Sequence, residues 1–183
     1  MPEPSANALT ALRVACTPLL VACVLAEPSW FTRLSAPILF AVAASTDYLD
    51  GRVARRRGTD SAAGRWFDHL ADIGFILTVL GSYVAVGVVP WWVPVSIAGA
   101  FAFYVSDSLR GSAPDDPPRL IASRLGHLGG VFNYVLIGIL VGNETLGLRW
   151  LPEIVLRACF VAVPVYSLAG AAARRRAGAR GAG

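Results

Sequence analysis

The sequence predicts an all-α, polytopic membrane protein: a bundle of six transmembrane helices. Three observations carry that prediction. Hydrophobic residues make up 55% of the 183-residue chain, above the roughly 45–50% of soluble domains. Charged residues make up only 15%, against about 25% in an ordinary globular protein. Apolar stretches of spanning length recur along the whole chain, each closed by Pro, Gly or a polar cluster.

A spanning helix needs about 20 mostly apolar residues. The first candidate runs over 7–26 and stops at Pro28-Ser29. No basic cluster precedes it and similar segments follow, so a retained span is expected rather than a cleaved leader. The second covers 34–56 and ends at Gly58-Thr59; the third covers 65–87. Pro90 divides the third from the fourth, at 91–111. The polar loop from Ser112 to Pro118 leads to the fifth, at 120–142. Gly142-Asn143-Glu144 breaks the chain before the sixth, at 150–170. Residues 1–173 are expected to form one membrane domain, and the Arg/Gly/Ala stretch 174–183 a disordered tail.

The net charge of +4 comes from arginine alone, since the chain contains no lysine. No basic stripe with interleaved aromatics occurs, so nucleic acid is not an expected partner. The lipid bilayer is. Cys16, Cys23 and Cys159 lie in apolar runs without metal-binding spacing and point to no disulfide.

The arginines also orient the bundle. An even number of spans puts both termini on one side. Arg52, Arg55, Arg56, Arg57, Arg65, Arg110, Arg119, Arg174, Arg175, Arg176 and Arg180 share that side, leaving Arg33 and Arg149 opposite. Positive charge marks the cytoplasmic side of a cell-membrane protein. Trp30, Trp91 and Trp92 fall at the other face, where interfacial aromatics belong.

The chemistry lies in four aspartates. Asp47 and Asp50 sit at the cytoplasmic end of the second span, Asp68 and Asp72 at the cytoplasmic start of the third. Spacings of three and four put each pair on one helix face. A short turn joins the two spans, which predicts antiparallel neighbours with all four carboxylates at one depth. Acids next to an apolar phase are costly and mark function. Crowded carboxylates stay ionised when cations sit between them. Four of them suit two divalent ions, an arrangement used for displacement at phosphorus. Gly51 and Gly64 permit close backbone approach, and Arg55 shares the Asp47/Gly51 face, where a guanidinium can grip phosphate.

From Asp47 to Asp72 the chain reads D-x2-D-G-x2-A-R-x8-G-x3-D-x3-D. This resembles the complete motif of the CDP-alcohol phosphatidyltransferase family. Asn7, Thr10, Arg13 and Pro18 resemble the N-x2-T-x2-R-x4-P pattern of many bacterial members. Read without the resemblance, Asn7 is a helix cap and Arg13 an interfacial charge. The resemblance implies that Asp47, Asp50, Asp68 and Asp72 bind two cations, Mg2+ or Mn2+. It implies that Asp72 is also the general base, and that Gly51, Ala54, Arg55 and Gly64, with Asn7 and Thr10, line the CDP-lipid site. It further implies CDP-diacylglycerol as donor, a small alcohol as acceptor, CMP as leaving group, and a homodimer.

Acceptors that carry phosphate need cations beside the metal site. Arg110, Arg124 and His127 offer them, and Arg124 and His127 share a face. The same residues also read as membrane-side anchors and a packing histidine. Glycerol 3-phosphate is the expected acceptor, with inositol phosphate the alternative. A divalent-cation transporter is the competing class; Glu153 is the one acid in the outer halves of the spans, which gives it little support.

Overall fold

The computed structural model describes the backbone of residues 4–57, 62–110, 124–149 and 151–181. Side chains are described for residues 10–46, 66–109, 129–149, 151–170 and 172. Among the described residues the regular structure is entirely helical: α1 (Pro4–Leu25), α2 (Trp30–Arg57), α3 (Ala62–Ala85), α4 (Trp92–Arg110), α5 (Arg124–Leu140) and α6 (Glu153–Gly181). Each apolar segment of the sequence coincides with one helix. A π-helical turn, Val141–Thr145, extends α5.

Local chemistry explains the helix ends. Ser29 and Thr32 cap α2 reciprocally: the Thr32 N–H donates to Ser29 Oγ at 3.2 Å and the Ser29 N–H to Thr32 Oγ1 at 2.9 Å. That cap starts α2 at Trp30, a turn earlier than hydropathy alone suggests. At the end of α3, Gly87 takes φ +76°, and the Val88 N–H turns back to the Tyr83 carbonyl at 2.9 Å. This left-handed glycine stop satisfies carbonyls the helix would otherwise leave open.

Two segments depart from expectation. Gly142-Asn143-Glu144 does not break the helix but widens it, with the Leu146 N–H bonded to the Val141 carbonyl at 2.9 Å. Asn143 is buried, and its Oδ1 accepts the Leu151 N–H at 3.1 Å. A polar residue that marked a loop therefore serves as an internal cap. Further on, α6 continues to Gly181 through the stretch whose composition suggested a separate tail. Alanine and arginine are strong helix formers, and they dominate that stretch.

Among the described residues, three helical stretches are long and apolar enough to cross a membrane: Trp66–Ala85, Trp92–Leu109 and Glu153–Gly170. A shorter apolar stretch covers Thr10–Leu25. Leu20, Ala43, Val79, Leu80, Ile137 and Leu140 form the centre of the core. Leu19, Ile38, Ile154, Val161, Val165 and Leu168 point outward. An apolar exterior around an apolar core suits lipid as the surrounding solvent.

The sequence suggested α2 and α3 as direct antiparallel neighbours. Among the described residues, α1 packs closely against both. Glycines set two other contacts. A Cβ on Gly138 of α5 would meet the Phe40 ring of α2 at 3.0 Å, and one on Gly129 would meet the Tyr166 ring of α6 at 3.2 Å. Gly129 thus packs closely on α6, whereas Gly130 faces open space.

Candidate active site

The placement of α1 determines what the carboxylates meet. Asp68 and Asp72 lie one turn apart near the start of α3, and α1 runs alongside. Arg13 of α1 is fully buried, and its Nη1 bonds to Asp72 Oδ1 and lies 3.5 Å from Asp68 Oδ1. One guanidinium nitrogen therefore touches both acids of the second pair, as their four-residue spacing permits. The Asp68 and Asp72 side chains remain 35% and 25% exposed, so the pair is open on one side. A charge as deep as Arg13 is stable in an apolar bundle only when paired, and these carboxylates pair it.

The sequence offered Arg13 both as an interfacial charge and as part of the N-x2-T-x2-R-x4-P pattern; the structure buries its side chain completely. The signal was present in the chain, because Arg13 stands between Leu12 and Val14 in an apolar run. Such an isolated charge marks function by default. The backbone of Asn7 lies inside the first turn of α1, which begins at Pro4. Thr10 is buried one turn before Arg13, on the same side of α1. Thr17 Oγ1 donates to the Arg13 carbonyl at 2.9 Å.

Two further residues reach the site without belonging to the motif. Tyr134 of α5 donates its hydroxyl to Asp72 Oδ1 at 3.1 Å. His69 lies beside Asp68, and ligand atoms of Asp68, His69 and Asp72 all fall within 4.8 Å of one another. The His69 ring sits edge-on to Tyr104 of α4, with centroids 6.4 Å apart. Neither residue has a sequence signature, since Tyr134 lies in an apolar run and His69 fills a variable motif position.

The remaining expected site residues are placed by backbone only. Asp47, Asp50, Gly51, Ala54 and Arg55 fall on the last turns of α2, and Gly64 on the first turn of α3. Arg110 closes α4, while Arg124 and His127 open α5. The side chains of these residues and of Asn7 lie outside the described ones.

The donor set fits a hard divalent cation. Ligand atoms of two partly exposed carboxylates lie within 4.8 Å of one another, and oxygen ligands of this kind suit Mg2+ or Mn2+. An imidazole in the same cluster is also acceptable to Mn2+.

A family model described as CDP-alcohol phosphatidyltransferase matches residues 4–165. The chain belongs to the CDP-alcohol phosphatidyltransferase family, whose members transfer phosphate-containing groups. Among its relatives is CDP-diacylglycerol--glycerol-3-phosphate 3-phosphatidyltransferase 2 of Arabidopsis thaliana, 39% identical over 94 residues, covering 48% of this chain and 40% of that protein. Cholinephosphotransferase 1 of Gallus gallus is 39% identical over 105 residues, covering 54% of this chain and 30% of that protein. A probable phosphatidylglycerophosphate synthase of Mycobacterium tuberculosis is 34% identical over 94 residues, covering 50% of this chain and 45% of that protein. The matched segments thus span less than half the length of each of these relatives.

Proposed function

We propose that this chain transfers a phosphatidyl group from CDP-diacylglycerol to glycerol 3-phosphate, with release of CMP. The observation that carries the proposal is the joint seat of Asp68 and Asp72 on Arg13, within a chain that matches the family over residues 4–165. The acceptor is chosen on the relatives named for glycerol 3-phosphate and phosphatidylglycerophosphate, and on the arginines at positions 110 and 124.

Asp47, Asp50, Asp68 and Asp72 would hold two divalent cations, Mg2+ or Mn2+. Bound there, the ions would neutralise the pyrophosphate and the departing phosphate. The acceptor oxygen forms a bond to the lipid-linked phosphorus, and the bond from that phosphorus to the bridging oxygen of CMP breaks. Asp72 takes the proton of the acceptor hydroxyl, as a base within hydrogen-bond reach must. Arg13 holds Asp68 and Asp72 together and balances their charge in a setting of low dielectric. Asn7, Thr10, Gly51, Ala54, Arg55 and Gly64 line the CDP portion, and Arg110, Arg124 and His127 receive the acceptor's phosphate.

In the membrane, all six helices span, with both termini and the active site in the cytoplasm. The arginine distribution supports this orientation. A homodimer is the proposed assembly.

The test is CMP release by the purified protein in detergent, with Mg2+ or Mn2+ and CDP-diacylglycerol. Glycerol 3-phosphate, inositol phosphate and unphosphorylated alcohols are offered in turn. Glycerol 3-phosphate should give the highest kcat/KM. A higher value with inositol phosphate would move the acceptor to the runner-up. No CMP with any acceptor, together with metal flux into vesicles, would replace the enzyme with a transporter.

A further inference from the structure

We propose that Tyr134 is a positioning residue for Asp72: it holds one oxygen of the carboxylate so that the other is aimed. The inference rests on Asp72 being the base in the transfer reaction.

The Tyr134 hydroxyl reaches Asp72 Oδ1 at 3.1 Å from a helix 62 residues away in sequence. An ionised carboxylate can only accept, so the phenol is the donor. The same Oδ1 also accepts Nη1 of Arg13. Donors from α1 and α5 therefore converge on a single oxygen of α3. This matters because the terminal torsion of an aspartate is broad and roughly two-fold. A single donor leaves the carboxylate free to swing about its bond to that donor. Two donors from different helices hold Oδ1, and anchoring Oδ1 sets the direction of Oδ2.

The tyrosine is itself held. Its ring stacks on Phe75, with centroids 5.5 Å apart and planes 14° from parallel. Phe75 is only 2% exposed, and it follows Asp72 by three residues on the same face of α3. Asp72 and Phe75 thus form a two-point seat for Tyr134, carboxylate for hydroxyl and ring for ring. A hydroxyl on a ring clamped in this way has little freedom, so it transmits position to the carboxylate. A base displaced by about 1 Å loses on the order of a hundredfold in rate, so even partial loss of alignment is measurable.

The test uses the full-length protein in detergent, with CDP-diacylglycerol and glycerol 3-phosphate. Tyr134→Phe removes the hydroxyl and keeps the stacked ring. It should lower kcat about tenfold while the KM for CDP-diacylglycerol stays within about twofold of wild type and the Tm stays within a few degrees. Phe75→Leu removes the ring beneath Tyr134 and should lower kcat in the same direction. The double variant should be no slower than Tyr134→Phe alone, since both changes act through one hydrogen bond. Asp72→Asn serves as the control. If Asp72→Asn is inactive but Tyr134→Phe keeps wild-type kcat, the positioning role is overturned and the base assignment stands. Additive losses in the double variant, or a drop in Tm with unchanged kcat per folded molecule, would also overturn it in favour of plain packing. Turnover by Asp72→Asn would overturn the base assignment and this inference with it.

Discussion

Arg13 of α1 and Asp72 of α3 form an ion pair whose cationic side chain is fully buried. The pair joins the first helix to the second half of the aspartate motif, and Asp68 shares the same nitrogen at 3.5 Å. Breaking a buried pair by removing one partner costs roughly 3–5 kcal/mol, because the other charge is left uncompensated. Asp72 is 25% exposed, so water recovers part of that cost. Arg13→Gln should lose on the order of 2 kcal/mol of stability and reduce turnover at least a hundredfold. Arg13→Lys keeps the charge but not the planar fork and should fall between the two. Thermal melts and CMP release on the three proteins check the order.

Chelation supplies a second prediction. Stripping the protein with EDTA should abolish CMP release, and Mg2+ or Mn2+ should restore it. Asp68→Asn should weaken Mn2+ binding, read by the electron paramagnetic resonance of free Mn2+. Undiminished Mn2+ binding in that variant would remove Asp68 from the ligand set.

Gly138 is a packing prediction. The end of the Phe40 ring lies 3.0 Å from where a Cβ would sit. Gly138→Ala must displace that ring, and overpacking of this kind costs about 1–3 kcal/mol. A lower Tm is expected, recovered by pairing the change with Phe40→Leu.

At the other end of α3, Tyr83 and Thr145 share a hydrogen bond of 2.8 Å that ties the helix to the π-helical turn. Tyr83 follows Asp72 by 11 residues, about 16 Å along the helix at 1.5 Å per residue. Thr145→Val should therefore cost about 1 kcal/mol of stability and leave kcat unchanged, as melting and CMP release will record.

Arg157 and Glu153 provide the contrast. They pair at 2.6 Å, but their side chains are 74% and 75% exposed. Glu153→Gln should shift the Tm by no more than the scatter of the measurement, because solvent-exposed pairs contribute little.

The helices were legible in the chain because long apolar segments carry a strong signal of length and apolarity. Asp68 and Asp72 were legible because their spacing puts them on one face. The partners of those aspartates were not. Arg13 looked interfacial because hydropathy says that a charge near a helix start is anomalous, without saying which helix will cover it. The packing of α1 against both α2 and α3 is a tertiary fact, and it buries Arg13. Tyr134 was invisible because an aromatic residue in an apolar run is ordinary; only the approach of α5 to α3 gives its hydroxyl a role. Asn143 was taken for a loop residue because a buried amide is stable only with partners, and its partner Leu151 lies beyond the turn.

The most direct test of the central claim is mass spectrometry of the lipid product. Wild-type protein and Asp72→Asn, purified alike, are each incubated with CDP-diacylglycerol, Mn2+ and glycerol 3-phosphate. Wild type should form phosphatidylglycerophosphate in amounts equal to the CMP released, and Asp72→Asn should form none per folded molecule, with a Tm lowered by the loss of its pair with Arg13. Product formed at a comparable rate by Asp72→Asn would contradict the assignment of Asp72. No lipid product from wild type with any alcohol would contradict the reaction itself.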